Sequence, residues 1–303
     1  MSVRAELLPT TAADSNVRMR GLWGDAASHL AHDRLTLVAI AIIAIYVVLA
    51  LLADAIAAML NVSPTRVDLP HRFEAPSALH LLGTDEFGRD QLARLLQGAR
   101  VSLGVGGAAA LVNIAVGATL GTAAAVYAGR VDDAFTWLVN TMRSIPGLFL
   151  LLIVATIFRV GPAGLALVIG LTSWMGPSRL VRGQALEARS QEYVAAARAI
   201  GATDLRIMVR HVLPNLVPII SVLVGIDVGQ AILRESALSY LGLGIQPPDS
   251  SWGSMLTNAQ SYFSRAPWLV IAPGAAITLV VWCLYAIGDG LRDALDPRIA
   301  RRG

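Results

Sequence analysis

Asp227, Gln230 and Arg234 lie within and close to one apolar stretch, 216–236, at spacings of three and four residues, so a helix there carries all three close to one face. A carboxylate turned toward hydrocarbon costs several kcal/mol, so Asp227 is expected to face protein, water or a basic partner. Two arrangements satisfy that demand. The three residues could line an aqueous path and meet a charged solute, or they could belong to an internal ion-pair network with a structural role. Asn113, within 101–128, and Gln184, after 162–182, are read as groups that hydrogen-bond neighbouring helices.

Other chemistries are excluded by residue type. All 24 basic residues are arginine, so there is no lysine to reach nucleotide phosphates and no G-x-x-x-x-G-K-[ST] run. The chain contains neither an H-E-x-x-H pair nor a G-x-S-x-G elbow, and its five histidines are too scattered to suggest metal ligation. Cys283 is the single cysteine, which rules out an intrachain disulfide and a multi-cysteine zinc site; it reads as a small buried apolar residue. The formal charge of +3 is spread between apolar blocks and not gathered on one element, which argues for membrane topology over nucleic-acid binding.

The elements that must position these residues follow from composition. The chain is 55% hydrophobic and 15% charged, too apolar for an ordinary soluble domain, and a lipid bilayer is its expected solvent. A spanning helix needs about 20 mostly apolar residues. Stretches at 35–58, 101–128, 144–159, 162–182, 216–236 and 268–290 predict an all-α integral membrane fold with about six transmembrane helices. Gly161 and Pro162 punctuate the third and fourth, which are expected to form a tilted pair, with one span plus a re-entrant segment as the alternative. A polar head of 34 residues precedes the first stretch, which reads as an uncleaved span. The expected organisation is a cytoplasmic segment 1–34, a membrane domain 35–290 with outer loops 59–100 and 237–267, a cytoplasmic connection 189–215, and a cytoplasmic tail 291–303.

Arginine asymmetry sets the orientation. Arg4, Arg18, Arg20 and Arg34, then Arg130 and Arg143, then Arg182, Arg189, Arg198, Arg206 and Arg210, and finally Arg292, Arg298, Arg301 and Arg302 would share the cytoplasmic side, placing both termini there. Arg66, Arg72, Arg89, Arg94 and Arg100 oppose this, but neighbouring acidic residues offset much of their charge. Between the second and third stretches, Val131, Ala134, Phe135, Leu138 and Met142 form the apolar face of an interfacial helix, with Asp132, Asp133, Thr136, Asn140 and Arg143 opposite.

The connection 189–215 has its own helical pattern. Ser190 can cap a short helix carrying Glu192 in its first turn and the small residues Ala195, Ala196 and Ala197. Gly201 can end it in the left-handed conformation, Thr203 or Asp204 can cap a second helix with Leu205, Met208, Val209 and Val212 on one face, and Pro214 ends that helix or opens the next span.

This segment resembles the cytoplasmic signature of the permease subunits of binding-protein-dependent ABC importers, E-A-A-x-x-x-G followed by I-x-L-P. Ala196, Ala197, Gly201, Leu213 and Pro214 match; Ala195 replaces the signature glutamate and His211 the isoleucine, while Glu192 lies one turn earlier. The resemblance spans about residues 30 to 298 and is closer to the peptide and nickel branch, especially the C-type permeases of dipeptide and oligopeptide systems. It is carried further by L-G-T-D-E-F-G-R-D at 82–90, L-S-Y-L-G-L-G-I-Q-P-P-D-S-S-W-G at 238–253 and G-D-G-L-R-D-A-L-D-P-R at 288–298.

The resemblance implies a type I ABC importer permease fold in a bacterial cytoplasmic membrane. The implied partners are a sister permease, two ATP-binding domains and an extracytoplasmic solute-binding protein; ATP and Mg would reside on the partners, with no cofactor on this chain. Residues Glu192, Ala195, Ala196, Ala197, Gly201, Leu213 and Pro214 would then couple to the ATPase, and Asp227, Gln230 and Arg234 would be pathway candidates. In the outer loops, Asp85, Arg89, Asp90 and Trp252 could dock the binding protein, or they could pack the outer gate and close the loop upon itself. Peptide, nickel-chelate and opine systems share this pattern, and a self-sufficient channel or secondary transporter remains the alternative of another class.

Overall fold

The computed structural model describes residues 24, 27–158 and 161–295, all helix and loop. Arg4, Arg18, Arg20, Arg298, Arg301 and Arg302 of the charge asymmetry, the end of the third apolar stretch and the last three residues of 288–298 lie outside the described residues.

Helix α1 (Arg34–Leu51) starts at Asp33, whose side chain accepts from the Leu35 N–H at 3.0 Å and from the Thr36 hydroxyl. After a break at Leu52 comes α2 (Ala53–Met59). The central helix α3 (Gln91–Tyr127) has 37 residues, about 55 Å at 1.5 Å per residue. It is followed by α4 (Arg130–Arg143), α5 (Gly147–Ile157), α6 (Pro162–Ser173), α7 (Met175–Arg189) and the short α8 (Glu192–Ala199). Helix α9 (Asp204–Ile207) runs through a π-helical turn at Met208–Val212 into α10 (Leu213–Tyr240). A small outer helix α11 (Trp252–Leu256) precedes α12 (Trp268–Leu295).

Among the described residues, α1, α3, the continuous unit Asp204–Tyr240 and α12 are long and apolar enough to cross a membrane. The third and fourth expected spans are built differently from simple crossings. Helix α5 has 11 residues and α6 has 12, about 16–18 Å each against roughly 30 Å of hydrocarbon. Chain direction changes by 83° between α4 and α5, where Pro146 stands as the N-cap of α5, a position at which its missing N–H costs no helical bond. Pro162 likewise opens α6, and a single-residue break at Trp174 passes α6 on to α7, which carries helix as far as Arg189 instead of stopping at 182. Helices α5 and α6 pack on each other.

Two sequence expectations shift. Helix α3 begins at Gln91, ten residues before the expected 101, because Asp90 caps it through the Ala93 N–H at 2.8 Å. The first outer loop is therefore 60–90 rather than 59–100, and Arg94 and Arg100 are helical. In α4 the buried residues are Phe135 and Val139, whereas Val131 and Leu138 of the expected apolar face are exposed. The rotation follows from two anchors on neighbouring helices: Asp132 receives Arg182 at 2.5 and 2.6 Å, and Phe135 packs against Trp174 with ring centroids 6.4 Å apart.

Helix α3 is the hub, packed against α6, α7 and α10, while α12 joins α10 to α1. Close approach requires small residues, as expected for helices that gain no hydrophobic drive from lipid. A Cβ on Gly121 would lie 2.3 Å from the Ser178 carbonyl oxygen, and one on Gly106 would lie 2.5 Å from Ile232. The outer face of α1 leaves Leu35, Val38, Ile45, Val48 and Leu51 exposed, a surface suited to lipid. Arginines tie helix ends across the bundle. Arg100 donates to the Ala50 and Leu51 carbonyls at the end of α1, and Arg189 donates to the Ala125 carbonyl near the end of α3.

Candidate functional site

A cavity of about 1010 Å³ opens beside α10. Its walls come from three places: Asp227, Gln230 and Arg234 on α10, Arg143 and Pro146 at the bend between α4 and α5, and Thr172 and Arg179 on α6 and α7. The spacing read from the sequence therefore brings the three α10 residues to one lining. They do not form the ion-pair network that was the alternative. Asp227, 8% exposed, accepts from Asn113 Nδ2 at 2.8 Å, while Arg234 Nη2 donates to Gln230 Oε1 at 3.1 Å and Gln230 Nε2 donates to the Tyr285 hydroxyl at 2.8 Å. Among the described residues no ion pair joins Asp227 to Arg234. Asn113 thus acts as the helix-bridging group expected of it, and its partner is the pathway candidate itself.

Glu235 escaped the sequence reading. It is fully buried and accepts from Ser102 Oγ at 3.0 Å and Ser239 Oγ at 2.6 Å, and Ser102 Oγ in turn accepts the Trp252 N–H at 3.1 Å. One residue further along α10 than Arg234, it points about 100° away and ties α3, α10 and the outer segment together. A carboxylate bordered by Ser236 and Ser239 was the available signal.

The segment 189–215 folds as helix, glycine, helix. Gly201 has φ +87, which allows α8 to end, and Thr203 accepts the Arg206 N–H at 3.3 Å to start α9. Ser190 does not cap α8; its hydroxyl donates to the Glu187 carbonyl, and Gln191 stands at the N-cap without a side-chain bond. Val194 and Ala197 key α8 into the core, whereas Glu192, Tyr193, Ala195 and Ala196 face outward and Ile200 is 88% exposed. Of the three small alanines, Ala197 serves internal packing and the other two remain available to a partner. In the second helix the buried residues are Ile207, Met208 and Val212, and the expected Leu205 and Val209 are exposed. The π turn accounts for this shift: Pro214 lacks an N–H, and the wider turn before it carries the helix past the missing bond into α10 without a break. Leu213 and Pro214 are half-buried at that joint.

The outer loop closes on itself. Asp85, 3% exposed, accepts from the Phe87 and Arg89 N–H groups at 2.9 Å each and from Arg89 Nε at 2.7 Å, with Arg94 Nη1 at 3.3 Å. Asp90 combines the α3 cap with a 2.9 Å contact to His80 Nδ1. Gly88, at φ +74, lies so close to Asp68 that a Cβ would stand 1.8 Å from its carbonyl oxygen. Burial pushes the Glu86 carboxyl above its ordinary range. Trp252 is completely buried, donates from Nε1 to the Leu95 carbonyl at 3.1 Å and meets Tyr46 edge to face. Asp85, Asp90 and Trp252 thus turn inward and build the scaffold, and Arg89 is bound to Asp85; the outward surface is made by neighbours such as Leu79, Leu81 and Phe87.

Long apolar helices, a cavity of mixed polar and apolar lining beside α10, and a short exposed helix just ahead of the continuous element that lines it are the architecture of a membrane transport permease. The chain belongs to the family described as binding-protein-dependent transport system inner membrane component, which matches residues 117–301. It is 35% identical to the oligopeptide transport system permease protein OppC of Escherichia coli, covering 97% of both chains. The corresponding protein of Bacillus subtilis is 31% identical over 92% of this chain and 91% of its own. The glutathione transport system permease protein GsiD of Pectobacterium atrosepticum is 40% identical over 75% of each.

Proposed function

We propose that this chain forms half of the transmembrane pathway of an ATP-driven peptide importer and that α8 is its contact with the ATPase. The observation that carries this reading is the mechanical layout. The exposed face of α8 sits at the head of a continuous 37-residue helical unit, Asp204–Tyr240, whose far half lines the cavity through Asp227, Gln230 and Arg234. A rigid helix transmits displacement along its length, so closure of a nucleotide-bound partner against Tyr193, Ala195, Ala196 and Ile200 would shift the cavity wall and alternate its access. ATP and Mg belong to that partner, because this chain has no lysine-bearing phosphate loop.

The remaining assembly follows from the same reading. A sister permease covers the open side of the cavity, and a solute-binding protein delivers cargo to the outer loops. Arginine bias supports cytoplasmic termini in a bacterial cytoplasmic membrane. Relatives named for oligopeptides and glutathione favour a peptide cargo over a nickel chelate or an opine. The test is reconstitution. Purification of this chain should recover a second membrane subunit and two ATPase domains, and peptide uptake into liposomes should require ATP and all components. Uptake by this chain alone would instead establish a self-sufficient transporter.

A further inference from the structure

The cavity is charged unevenly: its lining holds three arginines, Arg143, Arg179 and Arg234, against the single carboxylate of Asp227. That carboxylate is already engaged by Asn113. Arg234 is the one of the three that carries an enclosed donor without a partner among the described residues. Gln230, itself held by Tyr285, grips one end of its guanidinium, while Nη1 is buried with no hydrogen-bond partner among the described residues. An enclosed donor on a half-buried cation that has no ion-pair partner among the described residues is costly to leave so, and an arriving carboxylate would remove that cost by accepting N–H bonds from the guanidinium. The Gln230–Tyr285 pair holds the guanidinium in place beforehand, so little ordering would be needed on binding.

From this we infer that Arg234 is the centre of a carboxylate-binding subsite in the cavity, with Arg143 and Arg179 as further cationic positions, so that the pathway favours cargo with a free carboxylate over the same cargo neutralised. This deepens, and rests on, the pathway reading proposed above. In the proposed orientation Arg234 lies toward the outer end of α10, and Arg143 and Arg179 lie on the cytoplasmic side. A cargo carboxylate would then pass from one cationic position to the next, with Asp227 between them as the only negative group among the described lining residues.

The experiment uses the complete transporter in liposomes, supplied through its binding protein with a tripeptide or its C-terminal amide, each at a concentration that loads the binding protein equally. The unaltered transporter should take up the acid faster than the amide. Arg234→Gln should lower acid uptake by roughly ten-fold or more relative to amide uptake, bringing the ratio toward one, and Arg234→Lys should retain part of the preference. An unaltered transporter without preference, a ratio untouched by Arg234→Gln, or an equal loss of both cargoes would overturn the subsite. The pathway reading is tested apart from it: in a Cys283→Ser background, a bulky thiol reagent on Gln230→Cys should block both cargoes. Free passage of both after complete labelling would remove the pathway and the subsite together.

Discussion

The outer loop and the cavity both bury charge, but they dispose of it in opposite ways. Around Asp85 the carboxylate meets two backbone N–H groups and two arginines, and around Glu235 it meets two hydroxyls, so the charge is consumed inside the fold. Along the cavity Asp227 has one amide partner and Arg234 keeps a donor unused. Polar groups closed on one another fix a shape, whereas groups left under-satisfied at a cavity wall are available to a solute. The difference separates scaffold from site more sharply than residue type does, since both regions contain the same aspartates and arginines.

The comparison can be broken most directly at its scaffold end. Asp85→Ala should cost about 3–5 kcal/mol, because it leaves Arg94 without its ion-pair partner in a mostly buried position and frees two backbone donors. This would be read as a lower melting temperature of the purified complex; a change under about 1 kcal/mol would mean that the loop is not held as described. Glu235→Ala should follow with a loss of about 2–3 kcal/mol, and Glu235→Gln should recover part of it because an amide still accepts from a hydroxyl.

Substitutions at the open end should act on transport and spare stability. Ala196→Trp on the exposed face of α8 should abolish ATP-dependent uptake while altering stability by no more than about 0.5 kcal/mol, as checked by paired uptake and melting measurements. Normal uptake with normal melting would show that this face carries no stroke. The smallest effect is expected at the loop surface, where the Asp68 carboxylate, 3.0 Å from His71, raises the imidazole above its ordinary value. Any stability from this pair is present below the unfolded-state value and lost as pH rises through the folded one. Asp68→Asn should bring the His71 titration, followed by NMR, back toward an ordinary histidine.

Much of this was legible from local pattern. The apolar stretches, the break at Gly201, the Thr203 cap and the shared face of Asp227, Gln230 and Arg234 all depend on residues within a few turns of one another. Misreadings arose where a partner lay elsewhere in the chain. The face of α4 is rotated by Asp132 meeting Arg182, and the choice between docking and packing for Trp252 falls to packing because α3 presents Gly98 beneath it; the earlier start of α3, by contrast, has a local cause in the Asp90 cap.

The sequence by itself determined that the chain is an all-helical membrane protein with a helix, glycine, helix connection, because hydropathy, period and turn chemistry act over short range. Only the tertiary structure decided which charged residues are scaffold and which line the cavity. That choice is made by partners such as Ser102 for Glu235 and Asn113 for Asp227, 133 and 114 positions away, and no local pattern records which of two faces a distant helix will satisfy.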